Sequence, residues 1–141
     1  MLTRTSYLVF RSGNHCLSKY LKEGFGHVGV LQSDNFNWIY IDPQNMYLNC
    51  TILDFCKTDN VPKVMKNLGY TVLKVETKDL TKYKKERAKF FKLGLHCVTV
   101  VKYITGIRGI VWTPYQLFRK LMKMKKKGRY NSDVINVTYI L

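Results

Sequence analysis

The sequence predicts an α+β fold, an antiparallel β-sheet packed on one face by two or three helices. Three observations carry that expectation. Two runs rich in Val, Ile, Trp and Tyr, His27 to Gln32 and Asn37 to Asp42, flank the turn-forming stretch Ser33-Asp34-Asn35-Phe36 and read as a hairpin. Two segments carry both start and stop signals for helices, one around Pro62 and one at Thr113-Pro114. Further short runs, including an alternating one from Val134 to Ile140, supply more strands.

Taken along the chain, Tyr7 to Phe10 reads as a first strand. Gly13 and Asn14 open a short helix through Leu21 that Gly24 ends. After the hairpin, Met46 to Phe55 alternates as a strand. Asp59 or Asn60 followed by Pro62 starts a helix closed by Gly69, and Tyr70 to Val75 is again a strand. Glu76 to Lys92 is polar and basic and reads as a loop. The segment from Cys97 is contested on propensity, because Val98, Thr99, Val100, Val101, Ile104 and Thr105 are β-branched. Its periodicity decides for helix: Cys97, Val100, Val101 and Ile104 share one face and Gly106 is a natural stop. Thr113 and Pro114 then cap a helix to about Lys126 with Leu117, Leu121 and Met124 as its buried stripe.

At 141 residues the chain is expected to form one domain, residues 1–141. Apolar residues make up 46%, and ten Tyr, seven Phe and two Trp fill a core, which excludes a disordered chain. The charge is the outlier, +15 from 24 Lys and Arg against 9 Asp and Glu. Such a field draws anionic partners, an anionic polymer, a lipid surface or nucleic acid, although runs such as Lys82 to Lys89 and Lys120 to Arg129 also serve as solvated surface. The N-terminus lacks the apolar core and cleavage site of a signal peptide, and no apolar stretch reaches the length of a membrane span. Cys16, Cys50, Cys56 and Cys97 show no CxxC spacing. The expectation is a soluble cytoplasmic protein with free thiols and no bound metal, since no Cys or His pair has the tight spacing of a structural zinc site.

Cys97 and His27 are the residues with chemistry. A thiol at a helix start sits near unsatisfied backbone N–H groups, which lower its pKa from about 8.5. An imidazole on a strand can take its proton. His96 is adjacent to Cys97 and points away from it on a helix, and His15 has nothing to orient it. An orienting acceptor for His27 follows from the hairpin: folding about Asp34-Asn35 sets Asp42 opposite His27. Asp42-Pro43 also serves simply as a strand end. Gln32, Gln44 and Asn45 are the other polar candidates, Gln44 also as an oxyanion donor.

The histidine strand Gly26-His27-Val28-Gly29-Val30, the acidic end of Trp38-Ile39-Tyr40-Ile41-Asp42-Pro43, and the later Cys97-Val98-Thr99-Val100-Val101-Lys102 come in an informative order. That order resembles the circularly permuted papain-like hydrolases, which include NlpC-type cell-wall peptidases and relatives of lecithin:retinol acyltransferase. The segment Ile110 to Leu117 is similar to small proteins of tailed bacteriophages that carry this arrangement. The resemblance covers about residues 26–121. It implies Cys97 as nucleophile, His27 as base and Asp42 as third polar residue, with no cofactor and a peptide, peptidoglycan or acyl substrate. It also implies a place in the cytoplasm of an infected bacterial host or association with a virion. The third position in that group is often His, Asn or Gln, where this chain has Asp42.

Overall fold

The computed structural model describes residues 3–13, 20–34, 36–44, 47–55, 59–78, 97–130 and 133–141. They form an α+β unit built on one six-stranded antiparallel sheet: β1 (Thr3–Arg11), β2 (His27–Ser33), β3 (Trp38–Pro43), β4 (Leu48–Leu53), β5 (Thr71–Lys78) and β6 (Val134–Tyr139). Three helices accompany it: α1 (Val61–Asn67), α2 (Cys97–Thr105) and α3 (Pro114–Lys127). Strand order across the sheet is β4-β3-β2-β1-β5-β6. The long β1 is central because Leu8, Val9 and Phe10 are buried on consecutive positions, so both of its faces are covered.

Strand alternation sorts the core into two layers. Leu8, Phe10, Val28, Val30, Leu73 and Val75 face Val98 and Val101 of α2 and Leu117, Leu121 and Met124 of α3. The neighbouring positions Val9, Leu31, Val72 and Trp38 face the other way and pack with Val61 and Met65 of α1. The expectation of helices on one side of the sheet therefore holds for α2 and α3 only. The sequence carried no signal for the second layer, because α1 offers it little more than Val61, Pro62 and Met65.

The helix ends follow their caps. Asn60 accepts from the Lys63 N–H, Pro62 occupies the first turn, and Gly69 follows at φ +91°. In α3 Thr113 accepts from the Gln116 N–H while the Gln116 side chain returns to the Thr113 N–H, a reciprocal capping box. For α2 the helical period prevails over β-branched propensity because Val98, Val100 and Val101 are buried in the helical register. The loop expected from Glu76 is overturned at its start: Glu76 to Lys78 continue β5, paired to Thr3, Arg4 and Thr5. The rest of that stretch, 79–92, lies outside the described residues, as do residues 14–19 of the expected N-terminal helix.

Two surface features matter below. Residues 48–52 of the edge strand β4 are exposed. Charge is also divided across the sheet. Residues 23–62, which include β2, β3 and β4, hold five of the nine acidic residues and a single basic one, while β6 at the far edge packs with lysine-rich α3. Among the described residues no helix is long and apolar enough to cross a membrane.

Replacing the capping hydroxyl in Thr113→Ala is expected to lower stability by about 1 kcal/mol. A urea midpoint shifted to lower concentration with an unchanged slope would show it.

Candidate active site

The hairpin places the histidine and the acid together, by a slightly different route from the one the sequence suggested. The Asp34 carboxylate accepts from the backbone N–H groups of Phe36 and Asn37, at 2.7 and 2.5 Å. This turn lies one residue later than expected, so Ser33 pairs with Trp38 and Val30 with Ile41. Continued along the strands, that register sets Asp42 level with Gly29 and makes His27 its diagonal neighbour. Because a shift of one residue in the turn centre moves the partner by two, the face is preserved. His27 Nε2 lies 2.6 Å from Asp42 Oδ1, with the two side chains 14% and 12% exposed. A carboxylate only accepts, so Nε2 carries the proton and the Nδ1 lone pair is left as the basic position.

Asp42 is held from further sides. Arg11, the last residue of β1 and level with His27, brings Nη2 to 3.3 Å from Oδ2. The Gln44 side-chain amide donates to the same oxygen at 2.6 Å, so Gln44 serves the acid rather than an oxyanion. Tyr40 completes the group. Its ring covers Gly29, where an added Cβ would meet the ring carbons Cζ and Cε2 at 2.7 and 2.8 Å. The glycine is thus required by close approach. Burial and the Asp42 charge push the Tyr40 phenol up to about 12. Sequence reasoning missed Arg11 and Tyr40. The only signal for Arg11 was a basic residue ending an apolar strand, and nothing in sequence connects it with Asp42.

Cys97 arrives from the other layer. It begins α2, which packs on β2 and β3, and its side chain is part of the cluster around Val28, Val30 and Ile41. The backbone N–H groups of Val28, Val98 and Cys97 itself lie near the sulfur. Val28 is the residue after His27, so the thiol docks against the strand one position from the imidazole. The β2–β3 pairing ends at Val30 and Ile41, short of this point. The Cys97 thiol and the His27 ring are not hydrogen-bonded to each other; the ring's bond goes to Asp42.

The electrostatics differ from the expectation of an activated thiol. Burial is the largest influence and pushes the Cys97 thiol above its ordinary value, with the Asp42 charge adding to it. The three N–H groups oppose this and do not overcome it. His27 is lowered, first by burial and also by Arg11, while its hydrogen bond and attraction to Asp42 pull the other way. Near neutral pH the pair rests as thiol and neutral imidazole, not as an ion pair.

Of the other candidates, Gln32 bonds to Ser6 and Arg4 away from the site, and Cys50 is exposed on β4. His15, Cys16, Asn45, Cys56 and His96 lie outside the described residues. Among the described residues no three His, Cys, Asp or Glu side chains gather to hold a metal. A hollow of about 490 Å³ lined by Arg4, Gln32, Trp38 and Lys74 opens near the turn end of the hairpin, and none of the predicted catalytic residues lines it.

A histidine whose folded pKa is depressed stabilises the fold above its unfolded value of about 6.5, and that contribution is lost as the pH falls below it. Replacing His27 by Gln, which still donates to Asp42, is expected to flatten the fall in unfolding free energy between about pH 7 and pH 5. Urea titrations across that range would show the same slope in both proteins if His27 were not responsible. No family model, curated protein or solved structure matches the chain, so the cluster is characterised by its own chemistry: an imidazole oriented by a carboxylate, and a half-buried thiol at a helix start docked near the next residue of the strand.

Proposed function

We propose that the protein is a thiol hydrolase of the permuted papain-like kind, acting by acyl transfer on an amide or ester. The observation that carries this reading is the 2.6 Å contact from His27 Nε2 to Asp42, with Cys97 docked on the amide of the next residue. In the reaction the Cys97 thiol gives its proton to His27 Nδ1 as the sulfur attacks the substrate carbonyl carbon. The tetrahedral oxyanion takes hydrogen bonds from N–H groups at the start of α2, Cys97 and Val98. Collapse breaks the bond to the leaving amine or alcohol, which takes the proton from Nδ1. Water, deprotonated by the same nitrogen, then hydrolyses the thioester and restores the thiol.

Asp42 keeps Nε2 protonated and stabilises the imidazolium, and Arg11 and Gln44 keep Asp42 in place. Because the resting thiol is neutral, this is general-base catalysis rather than attack by a preformed thiolate. A substrate carbonyl must be present before the charge separates. Peptide, peptidoglycan and acyl-ester substrates all fit this chemistry, and no cofactor enters the cycle. Expected settings are the cytoplasm of an infected bacterial host, or a virion. The elevated thiol favours a second reading, a member of the same fold that binds without cutting.

The test is acyl transfer from p-nitrophenyl acetate. The expected result is release of nitrophenolate with an acetyl group on Cys97 found by mass spectrometry, lost in Cys97→Ala and kept in Cys50→Ala. Asp42→Asn is expected to slow it by roughly 10²- to 10⁴-fold. The rate should rise with pH as His27 loses its proton below about 6.5 and then level off. Absence of the adduct, or its appearance on another cysteine, supports the non-cutting reading. Alkylation by iodoacetamide is expected to be slow near pH 6 and to accelerate toward alkaline pH, as a neutral buried thiol requires.

A further inference from the structure

The loop from α2 to α3 exposes two large apolar side chains. Ile110 is 86% exposed and Trp112 72% exposed, two of several large hydrophobics at the surface that also include Phe36, Ile52 and Leu68. They are held rather than loose. Lys102 of α2 donates to the Gly109 carbonyl, Lys120 of α3 donates to the Arg108 carbonyl, and the Trp112 N–H donates to Gln116 Oε1 at 2.9 Å. The loop is therefore fixed against both helices, with Ile107 and Val111 buried in the core and Ile110 and Trp112 exposed.

The helix that follows adds charge. With Pro114, Leu117, Leu121 and Met124 buried, the opposite face of α3 carries Gln116, Arg119, Lys123, Lys126 and Lys127, all exposed, with Lys120 at its flank. Trp112 precedes the helix, and its N–H bond to Gln116 ties the loop to the first residue of this stripe. From residue 87 to residue 132 the sequence contains no Asp or Glu, so α3 has no acidic partner of its own for these cations. Like charges at i, i+3 and i+4 destabilise a helix. Here Arg119, Lys123, Lys126 and Lys127 crowd in that way, and an external anion relieves it.

We infer that Ile110, Trp112 and the cationic face of α3 form a docking surface for an anionic lipid bilayer. Indole at the membrane–water interface, an isoleucine beside it in the acyl boundary and lysines over the headgroups are the parts such a surface needs. Nucleic acid would use the cations and stack on Trp112, yet it offers Ile110 nothing. The inference is independent of the thiol chemistry and says where the protein works rather than what it cuts.

Co-sedimentation of the full chain with vesicles of phosphatidylcholine and phosphatidylglycerol in equal parts tests it. The expected result is binding that weakens with salt, no binding to phosphatidylcholine alone, and a blue shift in tryptophan emission that Trp112→Phe removes. The double variant Ile110→Ser, Trp112→Ser is expected to weaken binding at least about tenfold. Lys123→Glu with Lys127→Glu is expected to do the same. Both changes are on exposed positions, and unchanged thermal unfolding would show that the fold is intact. Failure to sediment overturns the proposal. So does full retention of binding by the Ile110→Ser, Trp112→Ser variant, since charge alone would then be responsible. Tight binding to duplex DNA without binding to anionic vesicles would replace lipid with nucleic acid.

Discussion

The Asp42 carboxylate is the point on which one end of the sheet depends. It receives Arg11 from the end of β1, His27 from the start of β2 and Gln44 from just beyond β3. A carboxylate this far from water must be paired, and leaving such a group without donors costs about 1–3 kcal/mol or more. Three segments distant in sequence are thus tied together at the place where the β2–β3 ladder has stopped. The same charge sets the state of the chemistry beside it. It orients the imidazole, and it discourages a thiolate at Cys97. An acid that helps the base therefore also keeps the nucleophile protonated until a substrate takes up the developing charge.

The two layers of the sheet divide the labour. His27, Asp42, Arg11 and Tyr40 are in phase with Leu31 and Val9, the layer that α1 covers. Cys97 belongs to the layer of Val28, Val30 and α2. His27 is the first residue of β2 and Cys97 the first of α2, and the link between the two layers is Val28, which follows His27 and lies against Cys97. Gly29 contributes by having no side chain, which lets the Tyr40 ring lie across the strand next to the pair.

Much of this was legible in the sequence, and the reasons are local. The hairpin, α1 and α3 are announced by turn residues, prolines and glycines whose effects act within a few positions. The helix at Cys97 was legible only through its period, because its β-branched composition argued for a strand. The Asp42–His27 partnership could be anticipated from the hairpin, although the Asp34 side chain moved the turn and made the pair diagonal. What was not legible depends on distance along the chain. Arg11 reaches Asp42 across 31 positions, a contact that only the order of strands creates. Thiol acidity was misjudged for a similar reason: helix-terminal amides are a local feature, whereas burial against Val28, Val30 and Ile41 is decided by the whole sheet.

The division of charge across the sheet has a consequence for motion in solution. Among the described residues the acidic side chains concentrate toward β2, β3 and β4 and the lysines of α3 lie beside the opposite edge, so this part of the polycation is also a dipole. In the field of any extended anionic body it experiences a torque before it makes contact. It turns α3 forward and carries the bare β4 edge behind. Orientation is selected during approach, over distances of about a Debye length, rather than by trial collisions at the surface.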